Sequence, residues 1–215
     1  MSYIDNKKDL TYVAILPIYI YGQPVLRKRA KAVRQVTEEL RKFVEDMFET
    51  MHHASGIGLA ANQVGSLERV IVVDISDVDD KPHEGVGEAA SASSLAPDQP
   101  KKLVMINPEV LSSSGSWRME EGCLSIPDIR DEVTRAETIR VRYRDLDFRE
   151  HELEATGLLG RVILHEIDHL NGILFIDHLG AVKRKLLRGR LNKIQRGEVE
   201  TRYPVVTAAA TAALK

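Results

Sequence analysis

The 215-residue chain is 43% hydrophobic, enough to bury one substantial core, and its length suits a single domain. Thirty Lys and Arg stand against 32 Asp and Glu, a formal net charge of -2, which excludes a global attraction to DNA or to anionic lipid. The one cysteine, Cys123, excludes an internal disulfide, so the chain need not fold in an oxidising compartment.

The first apolar run, Tyr12 to Tyr21, is about half the length of a membrane-spanning helix and is interrupted by Pro17. Lys7 and Lys8 before it imitate a signal peptide, but Gly22, Gln23 and Pro24 follow where a small-residue cleavage pattern would stand. The run is read as a strand or extended segment, and the protein as cytoplasmic. From Thr37 to His53, Leu40, Phe43, Val44, Met47, Phe48 and Met51 recur at helical spacing behind a Thr37 N-cap. This Met and Phe stripe is core rather than cofactor contact. The helix gives way at Ser55-Gly56-Ile57-Gly58 and leads through Leu59 to Gln63 into Val70–Asp74, a β-branched run expected to be a buried strand.

Between Asp77 and Lys102 all periodicity is lost. Pro82, Pro97 and Pro100 and a Ser/Ala-rich stretch predict an exposed loop, long enough to be an insertion. Strands are expected again at Leu103 to Pro108 and at Thr138 to Tyr143, where Ile139, Val141 and Tyr143 alternate with arginines. Leu153 to Gly172 reads as helical at least from Gly157. A further helix is expected from Gly180 to Gly197, with Leu186, Leu187, Leu191 and Ile194 on one face and a run of Lys and Arg elsewhere, ordinarily a solvated surface. The end, residues 204–215, reads as a frayed Ala-rich tail. Irregular strand order without repeats gives an α+β class and one domain over residues 1–215.

The sharpest chemical signal is His165-Glu166-Ile167-Asp168-His169 in the apolar context of Leu158, Leu159, Val162, Ile163 and Leu164. Four residues of helix turn a side chain about 40° beyond a full circle, so both imidazoles face one side, one turn apart, and can share a metal ion. Glu166 stands beside the first ligand, in the general-base position of the zinc-hydrolase H-E-x-x-H pattern. An ordinary surface histidine pair is the competing reading. A third ligand is needed. His178 lies downstream but lacks the glycine that shapes a metzincin turn, and the better candidate is Cys123, within Glu121-Gly122-Cys123-Leu124-Ser125. Alone, Cys123 reads as a small buried hydrophobe.

Three stretches together, Gly56 to Gln63, Glu121 to Ser125 and His165 to His169, resemble the motifs G-x-G-L-A-A-x-Q, E-G-C-L-S and H-E-x-D-H of peptide deformylases, in that order. Tyr21 to Arg27 also resembles the opening segment of that family, so the likeness spans roughly Ile15 to Asp177. It departs at Leu164, where the family usually has Gln, which bears on local hydrogen bonding rather than on ligation. The 77–102 loop is longer than its family counterpart and is expected to lie outside the active site.

The resemblance implies sheets packed around a central metal-binding helix, and removal of the formyl group from the N-terminal formylmethionine of new polypeptides. It makes Cys123, His165 and His169 the metal ligands, Glu166 the general base, and the Gln63 amide with the Leu124 N–H the oxyanion donors. Ile57, Gly58, Gly122 and Arg130 would line the peptide cleft, with Leu158, Val162 and Ile163 candidates for its apolar pocket. Glu121, Arg135 and Asp168 could pair to orient the ligands. Cys and two His suit zinc and ferrous iron alike; the likeness favours Fe2+, with Zn2+, Ni2+ or Co2+ able to replace it. Formylated nascent chains are the expected partners, with no DNA or membrane, and the basic C-terminal helix is compatible with transient ribosome contact. A zinc endopeptidase is the alternative within the same chemistry, and a closed structural metal site or a Cys-His nucleophile the alternative outside it.

Overall fold

The computed structural model describes residues 13–78 and 99–208. In chain order the elements are β1 (Ile18–Tyr19), α1 (Glu38–His53), β2 (Gly58–Ala60), β3 (Val70–Asp74), β4 (Lys102–Ser114), β5 (Trp117–Cys123), β6 (Ile126–Arg135), β7 (Thr138–Arg144), β8 (Glu150–Thr156), α2 (Gly157–Leu170), α3 (Ala181–Gln195) and β9 (Val205–Val206).

Helix α1 starts at its expected cap: Thr37 Oγ1 accepts the Leu40 N–H at 3.2 Å, and Glu38 and Glu39 place negative charge in the first turn. Its buried residues Leu40, Val44, Met47 and Met51 pack with Val70 and Val72 of β3. The intervening Ile71 and Val73 point to the opposite face, where Leu159, Ile163, Ile167 and Leu170 of α2 cover them. A strand buried on both faces has no polar alternation to show, hence the continuous apolar run Val70-Ile71-Val72-Val73. The sheet of β3 is antiparallel in the order β2-β3-β4-β7-β8, with α1 against one face and α2 against the other. Strands β5 and β6 form a separate ribbon, and β1 and β9 a parallel pair. This is the α+β arrangement around a central helix that the sequence implied.

Three details differ from the sequence reading. Leu153 to Thr156 is strand: Arg140 opposes Glu154 and Arg142 opposes Glu152 across β7 and β8, and that charge pairing with Ala155 buried between outweighs the helical start. Gly157, at φ +57°, then turns the chain directly into α2. On α3 the buried line is Leu191 and Ile194, with Leu187 half-buried, while Leu186, one position out of that spacing, is 77% exposed. The tail is tied down as far as Thr207: Val205 and Val206 pair with Ile18 and Tyr19, and Gln23 Nε2 donates to the Thr207 carbonyl at 2.6 Å. The backbone hydrogen bonds of β1 hold what composition alone marks as frayed; residues 209–215 lie outside the described residues. Of the 77–102 loop, residues 79–98 also lie outside them. Asp74 opposes Lys102, so that stretch connects two neighbouring antiparallel strands.

Candidate metal centre

Helix α2 is buried almost all round, and four of its buried side chains are polar: Arg161, His165, Glu166 and His169. Buried polar groups are retained only where partners or a ligand satisfy them. His165 and His169 lie one turn apart with ring centroids 5.0 Å from each other. Cys123 arrives from the end of β5. The ribbon slips register there, Gly122 opposing Arg130 while Cys123 opposes Ile126, and the bulge re-aims the thiol. Its Sγ stands 3.1 Å from His169 Nε2. One ligand atom each from Cys123, His165 and His169 falls within 4.8 Å of the other two. Three donors so clustered fit one ion with bonds of about 2.0 to 2.3 Å and a fourth position left open.

The second layer fixes which nitrogen is offered. Glu121 accepts from Arg135 Nε at 2.6 Å, Arg135 Nη2 at 3.0 Å and Arg161 Nη1 at 2.6 Å, and faces His165 Nδ1 at 3.0 Å. Burial works to raise the Glu121 carboxyl, but the hydrogen bonds and charges of His165 and Arg135 outweigh it and hold the group far below the usual range. An ionised Glu121 takes the Nδ1–H of His165, leaving the Nε2 lone pair for an ion. Asp168 accepts from Arg135 Nη1 at 2.7 Å and pairs with His178 Nε2 at 2.7 Å. His178 is thereby engaged away from the cluster.

Glu166 is buried beside the triad. Its Oε2 and His169 Nδ1 have no hydrogen-bond partner among the described residues, polar ends that call for a ligand, water or substrate group. Burial pushes the Glu166 carboxyl up to about 7, against the pull of His165 and Arg135. A carboxyl poised there can take up and release a proton near neutral pH.

The remaining expected residues gather on two sides. Gln63, in the short 3-10 turn after β2, accepts the Ala60 N–H on Oε1 at 2.8 Å. Its Nε2 lies 3.2 Å from Ser125 Oγ and 3.6 Å from Cys123 Sγ, so the amide points at the turn that carries Leu124. Gly58 begins β2, an edge strand, and Ile57 gives its carbonyl to the Asp74 N–H at 3.0 Å. Leu158 and Val162 are buried in one cluster with Ile57 packed against it, whereas Ile163 is wholly buried under the sheet. Gly122 lies beside Arg130, whose side chain is 70% exposed and 3.8 Å from Glu120. Leu164 packs on the α2 cluster and lines a cavity of about 520 Å³ with Arg29, Arg69 and Asn171.

Three contributors escaped the sequence reading. Arg161 is signalled only by being a charge inside an apolar helical run one turn before His165. Asn62 donates to the His169 carbonyl from within the first motif. Tyr203, whose hydroxyl donates to the Leu124 carbonyl at 2.8 Å, sits just before the expected tail and carries no sequence signal.

A buried helix presenting two histidines and a carboxylate under a cysteine, in an α+β fold, defines a metal-dependent hydrolase. Residues 15–185 match the sequence model of polypeptide deformylase. The chain belongs to the polypeptide deformylase family, a family of metalloenzymes. A peptide deformylase of Salinibacter ruber is 50% identical over 194 residues, which cover 90% of this chain and 95% of that one. One from Pelodictyon phaeoclathratiforme is 43% identical, covering 89% and 94% respectively. Among solved structures, the Legionella pneumophila peptide deformylase superposes with a TM-score of 0.71 at 38% identity, over 86% of this chain and 98% of its own. That of Ehrlichia chaffeensis gives 0.71 at 34%, over 86% and 99%.

Proposed function

We propose that this chain hydrolyses the formyl group from the N-terminal formylmethionine of new polypeptides, releasing formate, and that the whole chain serves as one catalytic domain. The observation that carries the reading is the convergence of Cys123, His165 and His169 beside the unpartnered Glu166 carboxylate oxygen, in a chain whose family match includes all three motifs. The endopeptidase alternative is not favoured by that match.

Cys123 Sγ, His165 Nε2 and a nitrogen of His169 would hold the ion. A divalent ion held there would supply Lewis acidity toward the formyl carbonyl and the attacking water. Glu166 takes the proton of the attacking water on its carboxylate and returns it to the departing amine, so no net charge is left behind. The Gln63 Nε2–H and the Leu124 N–H stabilise the negative charge that develops on the formyl oxygen, each such donor typically contributing about 10² to 10³ in rate. The peptide lies extended along the outer edge of β2 at Ile57 and Gly58, with Gly122 and Arg130 of the β5–β6 ribbon at its other side. Leu158 and Val162, with Ile57, wall the methionine pocket.

Ferrous iron is the ion we favour, with zinc, nickel or cobalt able to occupy the same ligands. A site in the cytoplasm suits the substrate; among the described residues no helix is long and apolar enough to cross a membrane. Exposed Arg184, Lys185 and Arg188 on α3 make a basic face for transient ribosome contact. Exchanging these three for Glu should abolish co-sedimentation with ribosomes, and unchanged sedimentation removes that part of the reading.

The deciding experiment measures formate released from formyl-Met-Ala-Ser and acetate released from acetyl-Met-Ala-Ser, using anaerobically prepared protein of known metal content. Only the formyl group should be released, and Glu166→Gln should keep its metal while losing about 10² to 10⁴ in rate. Metal-loaded protein that leaves the formyl peptide intact, or attacks both peptides equally, disproves the assignment.

A further inference from the structure

The turn between β5 and β6 is held from three directions. Gln63 Nε2 reaches Ser125 Oγ at 3.2 Å, the Tyr21 N–H donates to the Ser125 carbonyl at 2.8 Å, and the Tyr203 hydroxyl donates to the Leu124 carbonyl at 2.8 Å. The last of these comes from a segment beyond residue 185, where the family match ends. That segment is docked rather than loosely apposed. The Ile18 N–H donates to the Pro204 carbonyl at 2.8 Å and the Ile20 N–H to the Val206 carbonyl at 3.2 Å, so β1 is stitched both to the tail and, through Tyr21, to the turn.

We propose that Tyr203 is a positioning residue for the reaction: by holding the Leu124 carbonyl it fixes the direction in which the Leu124 N–H points. This rests on the reading of that N–H as an oxyanion donor. The carbonyl and N–H of one residue belong to successive peptide planes joined at its Cα. Cys123 on one side is anchored in the β5–β6 ladder, and Ser125 on the other by Tyr21 and Gln63. A clamp on the Leu124 carbonyl removes the remaining rocking freedom between them. Such a donor must be held to about 0.5 Å and 10 to 20° to act in the transition state, a tolerance that depends on the residues supporting it. Burial, and after it the nearby Cys123 and Asp128, keep the phenol well above the usual tyrosine range, so it remains a donor at working pH.

The test is Tyr203→Phe in the full-length, metal-loaded protein, which keeps the ring and removes the hydroxyl. The expected result is a kcat lowered about tenfold, below the full loss of a donor, with KM within about twofold and metal content unchanged. In the zinc-loaded protein the Leu124 amide resonance should shift and exchange faster with solvent. A kcat equal to the parent's overturns the proposal, as does a loss matched by metal release or by a rise in KM, which marks a general brace. Should the Phe variant not accumulate, 3-fluorotyrosine at position 203 keeps the packing and alters donor strength, and a kcat unmoved by it overturns the proposal. Glu166→Gln separates the two layers: if it stays active the site reading itself fails, whereas if it is inactive and Tyr203→Phe is not impaired, only the role of Tyr203 fails.

Discussion

Gly58 and Glu166 are in contact: a Cβ built on Gly58 would stand 2.5 Å from Glu166 Oε1 and 2.7 Å from Val162 Cγ1. The edge strand and the buried helix approach so closely that the proposed base is held from behind by bare backbone. Gly58→Ala should therefore drive the carboxylate aside. Formate release should fall by about 10² or more, the typical share of a positioned base, while bound metal stays stoichiometric. A rate within about threefold of the parent would mean that Glu166 need not occupy that position.

Glu121 is the common acceptor of Arg135 and Arg161, whose side chains are 5% and 3% exposed, and the partner of His165. Removing it leaves buried Arg161 without its carboxylate and Arg135 with Asp168 alone, so Glu121→Ala should cost about 3 to 5 kcal/mol in urea unfolding. Freed of its acceptor, His165 no longer has its tautomer fixed, and metal affinity should fall about 10- to 100-fold. Competition with a chromophoric chelator measures the second effect. Stability lost with affinity intact would leave Glu121 a structural residue only.

Much of this was readable from residues and some was not, for physical reasons. Helical periodicity exposes α1 because one face meets water, and it exposes α2 as a motif carrier because His165 and His169 are local in sequence. The partnership of Cys123 with them rests on a register slip in the β5–β6 ribbon, a long-range event that no local pattern encodes. Residues 150–156 were hidden because their strand is stabilised by charges across β7, and the tail because its order comes from backbone bonds to β1. Arg161 left a trace as a lone charge in an apolar helix. Tyr203 left none, since a tyrosine near a chain end looks the same whether or not its hydroxyl finds a carbonyl.

Removing the metal should loosen the site without unfolding the core. The ligands come from α2 and from the β5–β6 turn, so an ion binding only the folded state stabilises it by mass action. Dialysis against a chelator under anaerobic conditions should abolish formate release and lower the thermal midpoint, and equimolar Fe2+ or Co2+ should restore both. Activity that survives complete chelation contradicts a metal-dependent reaction and favours Cys123 acting as a nucleophile.

Arg27 and Asp177 join the segment after β1 to the 3-10 turn before α3. Burial acts to raise the Asp177 carboxyl, but the hydrogen bond and charge of Arg27 and the Leu174 N–H outweigh it and lower the group. A depressed folded-state pKa means that the unfolded chain binds the extra proton, so the contribution is present above about pH 3.9 and is lost as pH falls through the folded value. Both side chains are about one-third or more exposed, 44% and 34%, so solvent screens the pair and its share is modest. Asp177→Asn should be less stable than the parent at pH 7 and lose that deficit at an acid pH below the folded value. Urea midpoints that differ equally at both pH values refute the assignment.

Gly160 offers a case in which two effects of opposite sign can be weighed. Within a helix, Gly→Ala ordinarily stabilises by up to about 1 kcal/mol, because glycine has the greater backbone freedom to lose. Here a Cβ would meet the Ala155 carbonyl oxygen at 2.8 Å and its carbon at 3.2 Å, backbone atoms of β8 that cannot rotate away. Forcing α2 off that strand disturbs the face that covers Ile139 and Val141 and tilts His165, little more than a turn along, relative to Cys123. Overpacking of this kind costs about 1 to 3 kcal/mol, so the clash should win: Gly160→Ala should lower the urea midpoint and weaken metal binding together. A variant more stable than the parent would show that α2 has slack against β8, and that the geometry of the cluster does not depend on that contact.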